Sequence, residues 1–267
     1  MLEYDTPESS IVFCNWKNHD LLVNFVESLL ASLTVKTEIF ANLNEASQES
    51  IDFLEQKGVR YVANKDNLGT AAVDQVTHLL TAETVATIND DEIPYFGWQT
   101  DLITLQHIFW PCCPSVTCVE PQHTGNNMVV ADDCGHILDP ATYTKYITRC
   151  QEGAYYRPSR LGYQHPTLYS TEAWKAIGGY SCGLPFDYFG LAGYCLDDYF
   201  NYKMKRYLGE DTKFIVSGSS FCYHQISHTT KQLPPEVKNF DAHSKFVQLT
   251  GQSTQEFRRS INWGKEI

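Results

Sequence analysis

The first ninety residues alternate short apolar runs with longer segments in which apolar positions recur at helical spacing. The short runs are rich in β-branched and aromatic residues and begin near Ile11, Glu38, Val59 and Thr84. Between the first two runs, residues 22–30 place their apolar side chains on one helix face. Strands that alternate with helices in this way predict βαβ units. We therefore predict an α/β fold, a mostly parallel sheet flanked by helices.

After Glu92 the pattern becomes less regular and richer in aromatic residues. Asp139 and Pro140 have the order of a helix cap and first turn, and Ser253 and Glu256 have the spacing of a capping box. The predicted elements are helix 94–109, strands 115–120 and 128–131, helix 139–150, loop 151–165, a helix after Ser170 that stops at Gly178, loop 180–194, a helix from Asp197 to Gly209, strands 214–216 and 221–224, and two tail helices, the first through Val237, Phe240, Phe246 and Val247.

Composition and charge narrow the class of protein. The 267 residues are 43% hydrophobic, enough for a packed core, and the formal charge of -12 opposes broad binding to nucleic acid or an anionic membrane. No apolar run is long enough to span a bilayer, and the start of the chain lacks a basic segment followed by an apolar one. The nine cysteines form no C-x-x-C pair. We expect a soluble protein of a reducing, cytoplasmic compartment.

The most informative segment is the acidic segment, residues 89–92, which follows the apolar run that begins at Thr84. Side chains alternate along a strand, so Asn89 and Asp91 are predicted to point to one side and Asp90 to the other. Ligands of α/β sheets bind beyond the carboxyl ends of the strands. Crowded carboxylates there repel each other unless a cation lies between them. A divalent cation with oxygen ligands and an inert, solvated acidic turn both fit this segment.

Three further groups are candidates for chemistry. Asn67 and Gly69 precede a helix start rich in small residues, which lets the backbone approach a ligand or the sheet. Asp197 and Asp198 open a predicted helix, either as catalytic acids or as its caps. His224 ends a predicted strand, either as a ligand or as a satisfied structural histidine, and His228 is a weaker candidate.

Taken in order over about residues 10–230, these motifs resemble those of the GT-A glycosyltransferases, specifically family two of the sugar-transferase classification. The landmarks are a strand with Cys14-Asn15-Trp16-Lys17-Asn18 after it, then Asn67-Leu68-Gly69-Thr70-Ala71-Ala72, then Asn89-Asp90-Asp91 at the place of an Asp-x-Asp motif, and last Ile177-Gly178-Gly179-Tyr180 with Asp197-Asp198 and the late histidine His224.

The resemblance implies inverting transfer of a sugar from a nucleoside diphosphate donor to an acceptor hydroxyl. Asp91 would hold Mn²⁺ or Mg²⁺ against the diphosphate, Asn89 would add a neutral oxygen or act through water, and His224 would be a further metal ligand or a phosphate hydrogen-bond donor. Asp198 would be the general base, with Asp197 beside it. The residues implied to bind the donor are Asn15, Trp16, Asn44, Asn67, Gly69 and Asp90.

Two amides depart from the family pattern. Asn89 opens the Asp-x-Asp motif, which lowers the negative charge of the site. Asn44 stands where many members have an aspartate that reads the donor base, and an amide donates as well as accepts. A UDP-sugar is the expected donor, but a different base, or a different residue that reads uracil, also fits. We expect one domain over 1–267, with a nucleotide-sugar half at 10–120, an acceptor and catalytic half at 121–230, and C-terminal helices at 231–267.

Several acceptors and functions stay open at this point. The acceptor is expected to be a glycan, a lipid-linked group, a protein or a small molecule, and a modified nucleic-acid base is disfavoured by the negative charge. Trp98 and the aromatic residues of 180–194 either shape an acceptor pocket or belong to the core. A nucleotidyltransferase would want a glycine-rich basic phosphate loop, which residues 14–18 are not. A non-catalytic nucleotide-sugar or glycan-binding protein also fits the two amide replacements.

Overall fold

The computed structural model describes residues 6–126, 128–193, 195–225 and 241–267, and within them ten strands form one sheet. The strands are β1 (Ser9–Trp16), β2 (Thr37–Asn44), β3 (Arg60–Asn64), β4 (Thr84–Thr87), β5 (Glu92–Pro94), β6 (Cys112–Glu120), β7 (Val130–Ala131), β8 (Arg160–Leu161), β9 (Thr167–Ser170) and β10 (Lys213–His224).

Helices precede or follow most of these strands. They are α1 (His19–Ser32), α2 (Gln48–Lys57), α3 (Trp98–Phe109), α4 (Pro140–Gln151), α5 (Thr171–Ala176), α6 (Leu196–Leu208), α7 (Ala242–Thr250) and α8 (Thr254–Ser260), together with a 3-10 helix at Thr70–Leu79. In the described part of the chain, no helix combines the length and apolar character needed to cross a bilayer.

The order of strands across the sheet is β3-β2-β1-β4-β9-β6-β10-β5, with β7 beside β6 and β8 beside β10. The first four are parallel, and β6 is parallel to β10. Strand β9 is antiparallel to both of its neighbours, β4 and β6. The strands β1, β2, β4, β6 and β10 therefore run in one direction and end at the same edge. The predicted α/β class with a mostly parallel sheet is confirmed.

The sheet is buried on both faces, as parallel sheets are. Successive residues of β1 show this, because Ile11 and Phe13 belong to one apolar cluster while Val12 belongs to the other. Trp98 is 1% exposed within the first of these clusters, and its ring nitrogen donates to Ser32 Oγ at 3.2 Å. Trp98 is thus a core residue and shapes no acceptor pocket.

Several predicted elements differ in the structure. Residues 213–224 form one strand, with an irregularity between Val216 and Phe221, where two strands were predicted. The segment from 70 is a 3-10 helix, and Asn18 caps α1 by accepting from the backbone N–H of Leu21. The caps predicted at Asp139, Ser170 and Ser253 are present. Of the predicted first tail helix, Val237 and Phe240 lie outside the described residues.

Candidate active site

A cleft of about 370 Å³ lies at the edge where the parallel strands end. The topology explains its composition, because β1, β2, β4 and β10 deliver their last residues there and the antiparallel β9 begins there. Ten of the eleven residues predicted to act line this cleft, and the exception is Asp198. The ten are Asn15, Trp16, Asn44, Asn67, Gly69, Asn89, Asp90, Asp91, Asp197 and His224.

Asp90 turns inward from the acidic segment. It is 5% exposed, and its Oδ2 accepts a hydrogen bond of 2.7 Å from the side-chain amide of Asn15. Burial, followed by the charge of Asp91, raises the pKa of Asp90 to about 8. A carboxyl group with so high a pKa is a weak anionic ligand at neutral pH. Asp90 therefore ties the acidic segment to the end of β1, and Asn15 is its partner.

Asp91, His224 and Glu120 form a chain of contacts on the other side of the acidic segment. His224 Nε2 lies 3.4 Å from Asp91 Oδ1, and His224 Nδ1 lies 3.2 Å from Glu120 Oε1. Burial opposes a charge on His224, but Asp91 and Glu120 raise its pKa well above the usual value. The second oxygen of Glu120 is buried and has no hydrogen-bond partner among the described residues. Glu120 was not predicted, although it is an acid at the end of a strand.

This arrangement fits a divalent cation. Metal-binding histidines usually give their second ring nitrogen to a carboxylate, and Glu120 occupies that position behind His224. Two ligands at right angles on Mg²⁺ would stand about 3.0 Å apart, close to the Asp91–His224 separation of 3.4 Å. Within the described ranges, no group of three or more His, Cys, Asp or Glu side chains converges as a metal site. Substrate oxygens and water would therefore have to supply most of the remaining ligands.

Asn89 is held from behind by Glu92, which is completely buried. Glu92 Oε2 accepts from the backbone N–H of Asn89 at 3.0 Å, and Glu92 Oε1 accepts from Asn89 Nδ2 at 2.9 Å. Burial raises the pKa of Glu92, while the charges of His224 and His165 oppose this shift. The amide of Asn89 is therefore fixed by a buried acid three residues further along the chain.

Asp197 lies across the cleft, in the first turn of α6, with a side chain that is 45% exposed. Its Oδ1 accepts from Tyr180 OH and lies 3.0 Å from His165 Nε2. Burial opposes the ionised form, but His165 lowers the pKa of Asp197. Burial also opposes the charge of His165, yet Asp197 raises the pKa of His165 to about 9. Asp197 is thus an anion with an oriented carboxylate that reaches the cleft.

Asp198 is placed differently from its neighbour. Its side chain is 6% exposed, and its two oxygens pair with Arg258 at 2.8 and 2.9 Å. Tyr163 OH also donates to the same carboxylate. Arg258 belongs to α8, so Asp198 joins the start of α6 to the C-terminal helix. The structure does not bring Asp198 to the cleft, in contrast to the predicted role of general base.

The donor side of the cleft is made from β1, β2 and the turn before the 3-10 helix. Asn44 is buried and donates to Gly69 O at 3.2 Å and to Cys14 Sγ at 3.2 Å. Its Oδ1 accepts from Asn64 Nδ2 at 3.2 Å. The Asn44 amide is thereby engaged by protein groups, and it shapes the wall of the cleft through the Gly69 turn.

Trp16 and Asn67 are fixed in a similar way. The indole N–H of Trp16 donates to Glu45, which also forms an ion pair of 3.0 Å with Lys17. Asn67 Oδ1 accepts from the backbone N–H of Gly69 at 2.9 Å, which forms the turn that the small residues permit. The Trp16 ring and the Gly69 turn are therefore held before any ligand binds.

The segment 178–193 closes over the Gly69 turn. The backbone N–H of Thr70 donates to Leu191 O at 3.2 Å, and a Cβ on Gly69 would stand 3.0 Å from the Leu191 backbone. At the start of the segment, Gly179 leaves room for the half-buried carboxylate of Asp74, which accepts from the backbone N–H groups of residues 180 and 181. Residue 194, the end of the predicted loop, and His228 lie outside the described residues.

Besides Glu120, the sequence analysis missed His165 and Tyr180 as chemical groups of the site. Both line the cleft and contact Asp197, from which they are 32 and 17 residues distant in sequence. His165 lies within a predicted loop, and no motif surrounds it. His165 lies just before Thr167, the first residue of β9. This position would have indicated a site residue if the antiparallel pairing of β9 with β4 had been predicted.

No protein-family model matches this sequence, and no curated protein matches it. Among solved structures, the fold is similar to that of GalNAc-T7 with UDP, GalNAc and Mn²⁺, at 13% identity and a TM-score of 0.62. The match covers 97% of this chain and 51% of that chain, so this protein spans about half the length of GalNAc-T7. The molecule has the GT-A fold. The likeness does not distinguish family two from other sugar transferases, and that assignment stays a prediction.

Proposed function

We propose that this protein is a metal-dependent, inverting glycosyltransferase that moves a sugar from a nucleoside diphosphate to an acceptor hydroxyl. One observation carries the proposal. Asp91 and His224, which are suited to bind a metal ion, line the same cleft as the oriented carboxylate of Asp197. One side of such a cleft can hold the diphosphate while the other receives a proton. The GT-A fold supports the same chemistry.

Donor binding is proposed at the ends of β1, β2 and β4. Trp16, Asn67 and Gly69 would border the nucleoside, since they form the wall beside the Asn44 network. Asp91 and His224 would hold Mn²⁺ or Mg²⁺, as argued above, and Asn89 would face the donor beside them or act on the cation through water. When bound, the cation would neutralise the charge that develops on the diphosphate as it leaves.

Asp197 takes the role of general base in this proposal, in place of Asp198. Both hydrogen bonds that the described residues make to its carboxylate reach Oδ1, which leaves Oδ2 to the cleft. The acceptor oxygen attacks the anomeric carbon, the bond from that carbon to the diphosphate oxygen breaks, and the acceptor proton passes to Asp197. The cationic His165 and the Tyr180 hydroxyl orient the carboxylate. A single displacement of this kind inverts the anomeric configuration.

The proposal names a nucleotide for the donor and several chemical classes for the acceptor. GalNAc-T7 was solved with UDP and Mn²⁺, which supports UDP as the first nucleotide to test. The acceptor is proposed to be a glycan, a lipid-linked group, a protein or a small molecule, and the charge of -12 disfavours a nucleic acid. All nine cysteines are free thiols, which agrees with a reducing, cytoplasmic compartment.

The test is release of nucleoside diphosphate from a panel of nucleotide sugars, with and without Mn²⁺, alone and with pooled acceptors. Mass spectrometry identifies any glycosylated product, and NMR of that product gives the anomeric configuration. We expect metal-dependent release from one donor and an inverted product. A product that retains the donor configuration would overturn the single-displacement role of Asp197. Binding of donors without release under any condition would favour a non-catalytic binding protein.

A further inference from the structure

Two hydrogen bonds join Asn89 to Glu92. Glu92 has no solvent exposure, and its two oxygens accept the backbone N–H and the side-chain NH₂ of the same residue. Such a two-point contact leaves the side chain of Asn89 with one orientation. Asn89 itself is partly exposed and lines the cleft.

We infer that Glu92 is a positioning and specificity-determining residue of the donor site. It fixes the Asn89 amide so that the amide oxygen faces the cleft. This neutral oxygen accepts a hydrogen bond from a hydroxyl group of the nucleotide-sugar donor. This inference rests on the proposed function, because it assigns the ligand of that same cleft.

Amide geometry supplies the first step. The oxygen and nitrogen of a side-chain amide diverge from one carbon, so an amide whose nitrogen faces Glu92 presents its oxygen in the other direction. Both oxygens of Glu92 accept hydrogen bonds from Asn89, one of them from Nδ2, so Glu92 selects the nitrogen of the amide rather than its oxygen. The cleft, on the opposite side, meets an acceptor without a negative charge.

The match between donor and acceptor supplies the second step. An aspartate at position 89 would place a second carboxyl group against buried Glu92, at the distance now spanned by a 2.9 Å hydrogen bond. The amide N–H that Glu92 accepts would be lost, and two acceptor oxygens would face each other. Asn89 and Glu92 are therefore a matched pair, and this explains why the acidic segment opens with an amide in this chain.

The chemistry of the ligand follows from the neutral oxygen. A diphosphate oxyanion offers no hydrogen to an acceptor, whereas ribose and sugar hydroxyls do. The hydroxyl can come from either the ribose or the transferred sugar. Deoxy analogues of UDP distinguish these sources, because UDP carries the ribose hydroxyls and lacks the sugar.

The experiment exchanges the amide and the carboxyl group of Asn89 and Glu92. The variants are Asn89→Asp, Glu92→Gln and the double variant, in which the new glutamine side chain accepts from the backbone N–H of residue 89 and donates to the new carboxylate. Asn67→Asp, alone and with Glu92→Gln, is the matched control, because Asn67 lines the same cleft but bonds Gly69. Each protein is measured for unfolding in urea, and for binding of UDP, 2′-deoxy-UDP, 3′-deoxy-UDP and a UDP-sugar by calorimetry in the presence of Mn²⁺.

We expect Asn89→Asp to lower the folding equilibrium constant and the UDP-sugar affinity by about tenfold or more, the effect of one buried hydrogen bond left unmade. The double variant should recover most of the folding loss, while the Asn67→Asp pair should be additive. In the wild type, a tenfold preference for UDP over one deoxy analogue assigns the ribose hydroxyl. Equal affinity for all three, with a normal Asn89→Asp loss for the UDP-sugar, assigns the sugar hydroxyl.

Two results would overturn the inference. One is additive effects of Asn89→Asp and Glu92→Gln on folding, as in the control pair. The other is unchanged affinity of Asn89→Asp for both UDP and UDP-sugars. If the wild type binds no nucleotide while the folding effects remain coupled, the proposed function fails and the matched pair stands as a structural feature.

Discussion

The acidic segment at the end of β4 and the acid pair at the start of α6 look alike in sequence, but the fold separates their members in different ways. In the turn that follows β4, Asp91 approaches His224 in the cleft, while Asp90 bonds the Asn15 amide at the end of β1. On a helix, successive side chains lie about 100° apart, so Asp197 faces the cleft while Asp198 meets Arg258. Each pair therefore contains one group for chemistry and one for structure.

The largest effect that would sharpen this comparison is on turnover. Asp197→Asn removes the proposed base, so kcat should fall by about 10²–10⁴-fold while the dissociation constant of the donor stays unchanged. The measurement is steady-state kinetics beside donor calorimetry. Asp198→Asn is the matched control, and its folded fraction should turn over close to the wild-type rate. Loss of turnover in Asp198→Asn with activity kept in Asp197→Asn would restore the original assignment and break the comparison.

The second effect is on stability. Asp198→Ala leaves Arg258 without its partner in a partly buried place, so the free energy of unfolding in urea should fall by about 3 kcal/mol, at the low end for a broken buried pair because Arg258 is 44% exposed. Glu210→Ala breaks the ion pair of Lys205 with Glu210, whose side chain is 71% exposed, and should change the free energy of unfolding far less. Equal losses in the two variants would contradict a structural role for Asp198.

The third effect is on the metal. Glu120→Gln removes the charge behind His224, so Mn²⁺ affinity in the presence of UDP should fall by about tenfold. Electron paramagnetic resonance of free Mn²⁺ measures this affinity. Glu83→Gln, an exposed acid just before β4 and away from the cleft, is the control and should bind Mn²⁺ as the wild type does. Unchanged affinity in Glu120→Gln would argue that His224 is a structural strand-end histidine.

The smallest effect is the pH dependence of stability. The pKa of His165 is raised from its ordinary 6.5 or so to about 9, so its contribution is complete below about pH 6.5 and is lost as pH rises through 9. The pKa of Asp197 is lowered, so its share is present above its ordinary value of about 3.9 and is lost in acid. Between pH 6.5 and 9.5 the wild type should lose about 1–2 kcal/mol, a figure reduced because Asp197 is half exposed.

His165→Gln tests that pH dependence directly. Urea unfolding of both proteins at several pH values gives the free energy of unfolding, and the difference between them isolates His165 from other titrating groups. The variant should be less stable than the wild type at pH 6.5 and should show a flatter profile up to pH 9.5. Parallel profiles for the two proteins would contradict an ion pair between His165 and Asp197.

The first ninety residues were predictable because their pattern of apolar and polar side chains indicates which positions are buried. Runs such as 11–14 and 38–43 are buried on both faces, and the spacing in 22–30 exposes one helix side, so local pattern and tertiary structure agree. The same reasoning placed Asp91 at the end of a strand. The ten residues that line the cleft were those implied by the resemblance to GT-A glycosyltransferases, and several of them lie at strand ends, which converge at one edge of a parallel sheet.

The rest depended on partners that are distant in sequence. Which acid of the 197–198 pair faces the cleft is decided by Arg258, sixty residues further on. His165 becomes a site residue only because β9 enters the sheet antiparallel to β4. Glu92 looked like one more acid of its segment, and its contact with Asn89 required the turn that precedes β5. No periodicity or local motif encodes these contacts.

The measurement that tests the account most directly is calorimetric binding of UDP, with and without Mn²⁺, to the wild type and to Asp91→Asn. We expect UDP to bind the wild type only when Mn²⁺ is present, and Asp91→Asn to lose that binding while it keeps its fold. A panel of other nucleoside diphosphates covers a different base. Failure of every nucleoside diphosphate to bind in the presence of Mn²⁺, or equal binding by Asp91→Asn, would contradict a metal-dependent donor site at the end of β4.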